Sequence, residues 1–366
     1  MPNTYSGEES LTFTFVSGGT KKDQLGCIGL PPTLLLTCPG DASMGHGGRS
    51  HTMPLDTASG TFAIAPTPFH PDGAVDFQSI DRLTAFYRDV GCTGVTVLGI
   101  LGEAPKLDGP EAVEVAKRFI RAAEGMEVVV GVSAPGFASM RSLARSVTEA
   151  GAAGVMIAPP PSLRTDEQIV TYFRQAAEAI GPDVPWVLQD YPLTLSVVMT
   201  PAVIRRIFAE NPSCLMLKHE DWPGLEKISA LRSFQTDGSL RPISILTGNG
   251  GLFLDFEMER GADGAMTGYA FPDMLVDVVR LQQQGRRDEA HDLFDAHLPM
   301  IRYEQQPGVG LAVRKYVLVR RGLLSSDAQR RPGSALSDKA KTEVEYLLGR
   351  LARFDRRAEL GARLAS

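Results

Sequence analysis

Lys218 closes the apolar run Cys214–Leu217. A lysine leaving such a run is partly withdrawn from water. Desolvation disfavours the ammonium form, and the free amine that results can attack a carbonyl carbon and form a Schiff base. The plainer reading is a strand-end lysine whose head reaches water or pairs with Glu220. On a regular strand Glu220 shares the face of Lys218 and His219 faces the other way. The segment Gln189-Asp190-Tyr191 closes a second apolar run that starts at Trp186. A third segment, Thr247-Gly248-Asn249-Gly250-Gly251, follows Ser244–Thr247. Its backbone N–H groups could hold a carboxylate or phosphate, with Asn249 the side chain to test. The competing reading is a tight turn into the next helix.

These segments need a frame that brings strand ends together. From Gly60 onward, short β-branched runs alternate with longer amphipathic stretches. The strand-like runs are 61–65, 94–98, 128–132, 154–158, 186–190, 214–218, 244–247 and 264–267. Helical patterns between them include 75–90, 110–123, 139–150, 165–180, 201–210 and 252–260. Asp76 is placed to cap the first, Thr165 with Gln168 makes a capping box, and Pro201 sits at a first helical position. Gly91, Gly125, Gly151, Gly181 and Gly261 fall where helices end. Eight strand-then-helix units predict an α/β fold of the (β/α)₈ TIM-barrel type, with chemistry at the C-terminal ends of the strands. The rival is a doubly wound open sheet. It would usually carry a GxGxxG turn after the first strand, where this chain has Pro66-Thr67-Pro68-Phe69. The expected division is a disordered N-terminal extension over 1–55, a barrel over 56–285, and a C-terminal helical extension over 286–366. His46 and His51 read as solvated tail residues. Met53 is a candidate start, which the intact mass of the native protein would settle.

Composition narrows the function classes. The formal charge is −6, with 43% hydrophobic and 22% charged residues. A mildly acidic chain without a basic stripe is a poor partner for nucleic acid or an anionic membrane. No apolar run reaches the roughly 18 residues that span a bilayer. The four cysteines, Cys27, Cys38, Cys92 and Cys214, show no CxxC spacing, which argues against zinc and disulfides and fits a reducing cytoplasm.

Several segments, in order, carry a family likeness. They are Ala65–Phe69, Val75-Asp76, Gly94–Gly99 with Gly102-Glu103, Val130–Val132, Ala150–Gly154 with Ala158–Pro160, Leu217-Lys218, and Gly261–Gly264. From about Gly60 to Arg280 the chain resembles the dihydrodipicolinate synthase/N-acetylneuraminate lyase family of class I, Schiff-base-forming aldolases. The resemblance implies that Lys218 is the Schiff-base lysine and that Glu103 is the family's helper glutamate. It also implies imine chemistry needing no metal or organic cofactor, and a homo-oligomer, dimer or tetramer.

The departures are as informative. The family's paired hydroxyl residues after strand 2 are here Ile100 and Leu101, which points to a more apolar pocket floor. The family's acid/base tyrosine falls at Gln189, whose amide does not titrate usefully. The arginine that holds a dicarboxylate is replaced within Leu193-Thr194-Leu195. Dihydrodipicolinate synthesis is therefore not the expected reaction. Tyr191 could supply a phenol from one step further along the chain, and Asp190, His219 or Glu220 could carry protons. The expected catalytic pair is Lys218 and Tyr191. The expected substrate-lining set is Gln189, Glu103, Ile100, Leu101, Glu220, Asn249 and Gly248. The leading reading is aldol cleavage or condensation of a pyruvate-like 2-oxo acid, with an aldehyde as second partner. Two others stay open: dehydration of a 2-keto-3-deoxy sugar acid, and an inactive ligand-binding barrel.

Overall fold

The structure, a computed structural model, describes residues 55–361 except Pro223. Among the described residues the eight strands run β1 (Gly60–Ile64), β2 (Gly94–Val97), β3 (Glu127–Gly131), β4 (Gly154–Ile157), β5 (Trp186–Asp190), β6 (Cys214–His219), β7 (Ser244–Thr247) and β8 (Gly264–Thr267). All pair in parallel in chain order, and β8 pairs with β1, which closes the barrel and excludes the open sheet. Each strand lies within a residue or so of its expected position.

The helices between them are α1 (Phe77–Asp89), α2 (Gly109–Ala123), α3 (Phe137–Glu149), α4 (Asp166–Ile180), a short α5 (Pro192–Leu195), α6 (Pro201–Glu210), α7 (Leu225–Thr236), α8 (Leu254–Glu259) and α9 (Pro272–Gln283). Their ends follow the expected local chemistry. Asp76 accepts the backbone N–H of Ser79, and Thr165 and Gln168 cap each other's backbone. Thr200 accepts from Val203 with Pro201 at the first turn. The five glycines placed at helix ends all have positive φ, from 86° to 115°. The short α5 was not foreseen, because Pro192 follows Tyr191 so closely that the stretch reads as a loop.

Two layers of burial hold the barrel. Phe62, Ile64, Val129, Met156, Val187, Met216, Leu246 and Met266 fill its interior, with Leu55 and Ala58 among them. Ser244 Oγ donates to the Ala58 carbonyl (2.6 Å), which fixes that segment across the N-terminal end of the barrel. Outside, the helices bury faces such as Leu83, Val115, Phe119, Phe173 and Ile204 against the other side of the strands. At roughly 25 cal/mol per Å² of apolar surface removed from water, each fully buried large side chain contributes about 1.5–3 kcal/mol.

The C-terminal extension is helical: α10 (Arg287–Glu304), α11 (Gly310–Arg320) and α12 (Asp338–Leu351). It packs on α9 through its own apolar cluster, which includes Phe294, Ile301, Val313, Val317 and Leu348. The loop between α10 and α11 reaches the mouth of the barrel. No helix among the described residues is long and apolar enough to cross a membrane. Cys92 and Cys214 are free and buried. Cys27, Cys38, His46, His51 and the expected disordered extension lie outside the described residues, apart from its last position, Leu55, which is buried.

Candidate active site

Strand parity decides which side chains meet. Gln189 pairs in register with Lys218, so both project into the barrel from adjacent strands. Lys218 is 5% exposed and its Nζ lies 2.9 Å from Glu220 Oε1. Gln189 Nε2 donates to the same Oε1 at 2.7 Å. The other oxygen, Oε2, accepts the backbone N–H of Asn249 at 3.3 Å. The Glu220 carboxylate is thus held from β5, from β6 and from the loop after β7, with its buried charge balanced by the lysine.

These groups open on a cavity of about 650 Å³ at the C-terminal end of the strands. Gln189, Tyr191, Lys218, Glu220, Asn249, Ile100 and Leu101 line it, as do Leu193, Thr194, Trp222, Thr267, Gly268, Glu304 and Arg314. Ile100 is 42% exposed and, with Leu101, supplies an apolar wall. Tyr191 stands just past β5, at the start of α5. Burial pushes its phenol above the ordinary tyrosine range, against the Thr194 hydroxyl and with help from the Glu220 charge. Burial thus favours the neutral phenol over the phenolate.

Two expected lining residues stand elsewhere. Glu103 is 2% exposed and faces away from the cavity. Its Oε1 pairs with Lys315 Nζ at 2.5 Å, and its Oε2 takes Lys106 Nζ at 2.8 Å and the Arg330 backbone N–H at 3.1 Å. Glu103 adopts a left-handed conformation (φ 57°) right after the Ile100–Gly102 turn, and its carboxylate is taken up by these buried partners. Gly248 is likewise not part of the lining. It backs Glu220, and a Cβ there would fall 2.4 Å from Glu220 Cγ. Its N–H donates to the His219 carbonyl at 2.8 Å, so its role is to let the β7 loop close on β6.

Asp190 and His219, weighed as proton carriers, point outward between strands and helices. Both are fully buried, with His219 Nδ1 3.6 Å from Asp190 Oδ2, and Lys227 from α7 pairs with Asp190 at 2.8 Å. They anchor the strand ends to α7 and do not reach the cavity. Behind this network Glu257 of α8 is 6% exposed. Burial raises its carboxyl from the ordinary 4.5 to about 7, with His219 and the Thr247 hydroxyl acting in the opposite direction.

The cavity's outer wall was missed in the sequence. Glu304 and Arg314 form a buried pair, Arg314 Nε to Glu304 Oε1 at 2.6 Å. The available signal was the adjacent pair Arg314-Lys315 inside the otherwise apolar stretch Leu311–Val319. Two neighbouring cations in a buried helix need partners. Among the described residues no cluster of three or more His, Cys, Asp or Glu is arranged to hold a metal ion.

A family model described as the dihydrodipicolinate synthetase family matches residues 57–351. The L-2-keto-3-deoxyarabonate dehydratase of Azospirillum brasilense is 26% identical over 298 residues, 80% of this chain and 94% of that protein. A 4-hydroxy-tetrahydrodipicolinate synthase of Chlorobium chlorochromatii is 27% identical, over 81% of this chain and 99% of that one. Among solved structures, the crystal structure of dihydrodipicolinate synthase from Rhodopseudomonas palustris is 76% identical, with TM-score 0.80, covering 81% of this chain and 98% of that one.

Proposed function

Because the chain belongs to the dihydrodipicolinate synthetase family, whose members are lyases of the class I aldolase type, we propose that it cleaves or builds a carbon–carbon bond in a pyruvate-like 2-oxo acid through an imine on Lys218. The observation that carries the reading is the convergence of Lys218 Nζ and Gln189 Nε2 on Glu220 Oε1, at 2.9 and 2.7 Å, inside the cavity.

The chemistry follows from those contacts. Glu220 accepts a proton from the lysine ammonium, which frees the amine to attack the 2-oxo carbon. The same carboxyl returns the proton to the carbinolamine hydroxyl, which leaves as water. The resulting iminium takes up the electron pair when the C3–C4 bond breaks, while Glu220, again a carboxylate, takes the C4 hydroxyl proton, giving an enamine and an aldehyde. Tyr191 is the neutral donor available to protonate C3. Gln189 orients Glu220 and carries no proton itself.

The reaction is not dihydrodipicolinate synthesis on this reading. Gln189 stands where the family's tyrosine is expected, and Ile100 and Leu101 replace its hydroxyl pair. The 76% identical protein carries the synthase name, so the point needs direct assay: pyruvate with aspartate semialdehyde should give no condensation. The likeness to a keto-deoxy sugar acid dehydratase supports a second reading, in which the same iminium loses a C3 proton with the C3–C4 bond intact, and the enamine so formed expels the C4 hydroxyl as water. A panel of 4-hydroxy-2-oxo acids separates the two. Release of pyruvate and an aldehyde supports the lyase, water loss with an intact carbon chain supports the dehydratase, and turnover of none by folded protein overturns both. Family membership also supports a dimer or tetramer, which sedimentation would measure.

A further inference from the structure

We propose that Arg314 is the carboxylate anchor of this cavity, an inference that rests on the Schiff-base reading above. Arg314 is 2% exposed and lines the same cavity as Lys218. Two of its three nitrogens are committed: Nε to Glu304 Oε1 and Nη2 to the Gly268 carbonyl, both at 2.6 Å. The third, Nη1, is buried and has no hydrogen-bond partner. An unpaired guanidinium N–H in the interior is costly, and a ligand oxygen would satisfy it.

The surroundings select the ligand. Nη1 lies over Gly268, where a Cβ would come within 1.9 Å of it, so the absence of a side chain at 268 is what admits the guanidinium. The neighbouring Thr267 Oγ1, also in the cavity wall, is buried without a partner too. The wall's formal charges pair off, Lys218 with Glu220 and Arg314 with Glu304. Nη1 is then the charged donor left over. Every 2-oxo acid brings a carboxylate that cannot be buried without donors. Guanidinium suits that planar anion, whereas the carboxylates of Glu220 and Glu304 in the same wall disfavour a dianionic phosphate. The segment Leu193–Leu195 offers no arginine for this task; Arg314 supplies one from α11.

The anchored group is either the carboxylate next to the keto carbon or a distal one on a longer substrate. The test measures how borohydride trapping on Lys218 saturates with pyruvate, with 2-oxoglutarate, and with ethyl pyruvate, which has no free carboxylate. Three proteins are compared: wild type, the paired variant Arg314→Met with Glu304→Gln, and Gly268→Ala. The paired variant leaves no uncompensated buried charge. Gly268→Ala keeps both charges and pushes Nη1 aside, which keeps the test valid if the paired variant fails to fold. The half-saturating pyruvate concentration should rise about tenfold or more, with the maximal adduct and the ethyl pyruvate curve unchanged. A rise for 2-oxoglutarate alone supports the distal carboxylate. Unchanged saturation in the folded variants, for every 2-oxo acid that wild type traps, overturns the anchor while leaving the imine intact. Absence of any adduct in wild type overturns the Schiff-base reading, and the anchor with it.

Discussion

Lys218 and Glu220 leave β6 two positions apart, on the same face, and their charged ends meet at 2.9 Å. The lysine therefore rests as the partner of the group best placed to deprotonate it. Gln189 fixes that carboxylate from the neighbouring strand. The pair explains how a buried lysine is tolerated at rest, and under the proposed mechanism it is the source of the free amine that meets a substrate carbonyl.

Replacing Glu220 by Gln keeps the shape and removes the proton acceptor. Turnover should fall roughly 10²- to 10⁴-fold, the usual span for losing a general base. Circular dichroism should stay unchanged. A loss below fivefold would place the proton transfer elsewhere.

Under the proposed mechanism the phenol acts on the enamine and not on binding, so Tyr191→Phe should lower kcat more than it raises KM. Its hydroxyl titrates above the ordinary tyrosine value because it is buried. The alkaline limb of the rate profile below pH 9 should thus be the same in wild type and variant. A limb that vanishes in the variant would contradict this.

Glu257 makes stability depend on pH in a defined direction. Its carboxyl titrates near 7 in the folded protein and near 4.5 unfolded. Between those values the folded state binds more protons, so stability falls as pH rises from about 4.5 to 7. Glu257→Gln should flatten that part of the curve and gain on the order of 3 kcal/mol relative to wild type above pH 8. Urea melts at pH 5, 6, 7 and 8 would read this, and parallel slopes would refute it.

Glu103 should behave as a structural residue. Glu103→Gln leaves Lys315 buried with a neutral partner. The expected cost is about 3–5 kcal/mol of stability, measured by denaturant melts, with half-saturating substrate little changed in the folded fraction. A large change in substrate affinity at unchanged stability would return Glu103 to the site.

The barrel was legible because its signals are local: β-branched runs, caps at Asp76 and Thr165, glycines at helix ends. Lys218 and Glu220 were legible for the same reason, since a period of two on one strand places both. Contacts distant in sequence were not. Glu103 meets Lys315 across 212 positions, and Arg314 meets Gly268 across 46. Nothing in the composition of either segment announces such a meeting. Gly248 was read for its backbone N–H, while its position is set by the Glu220 side chain packed against it. Asp190 and His219 carried titratable groups beside the right residues, yet strand parity sends them outward.

Borohydride reduction in the presence of pyruvate, followed by peptide mass spectrometry, reads an imine on Lys218 itself. A reduced pyruvyl adduct should appear on Lys218, and none on a folded Lys218→Ala protein. An adduct on another lysine, or none with pyruvate or bulkier 2-oxo acids, would contradict it.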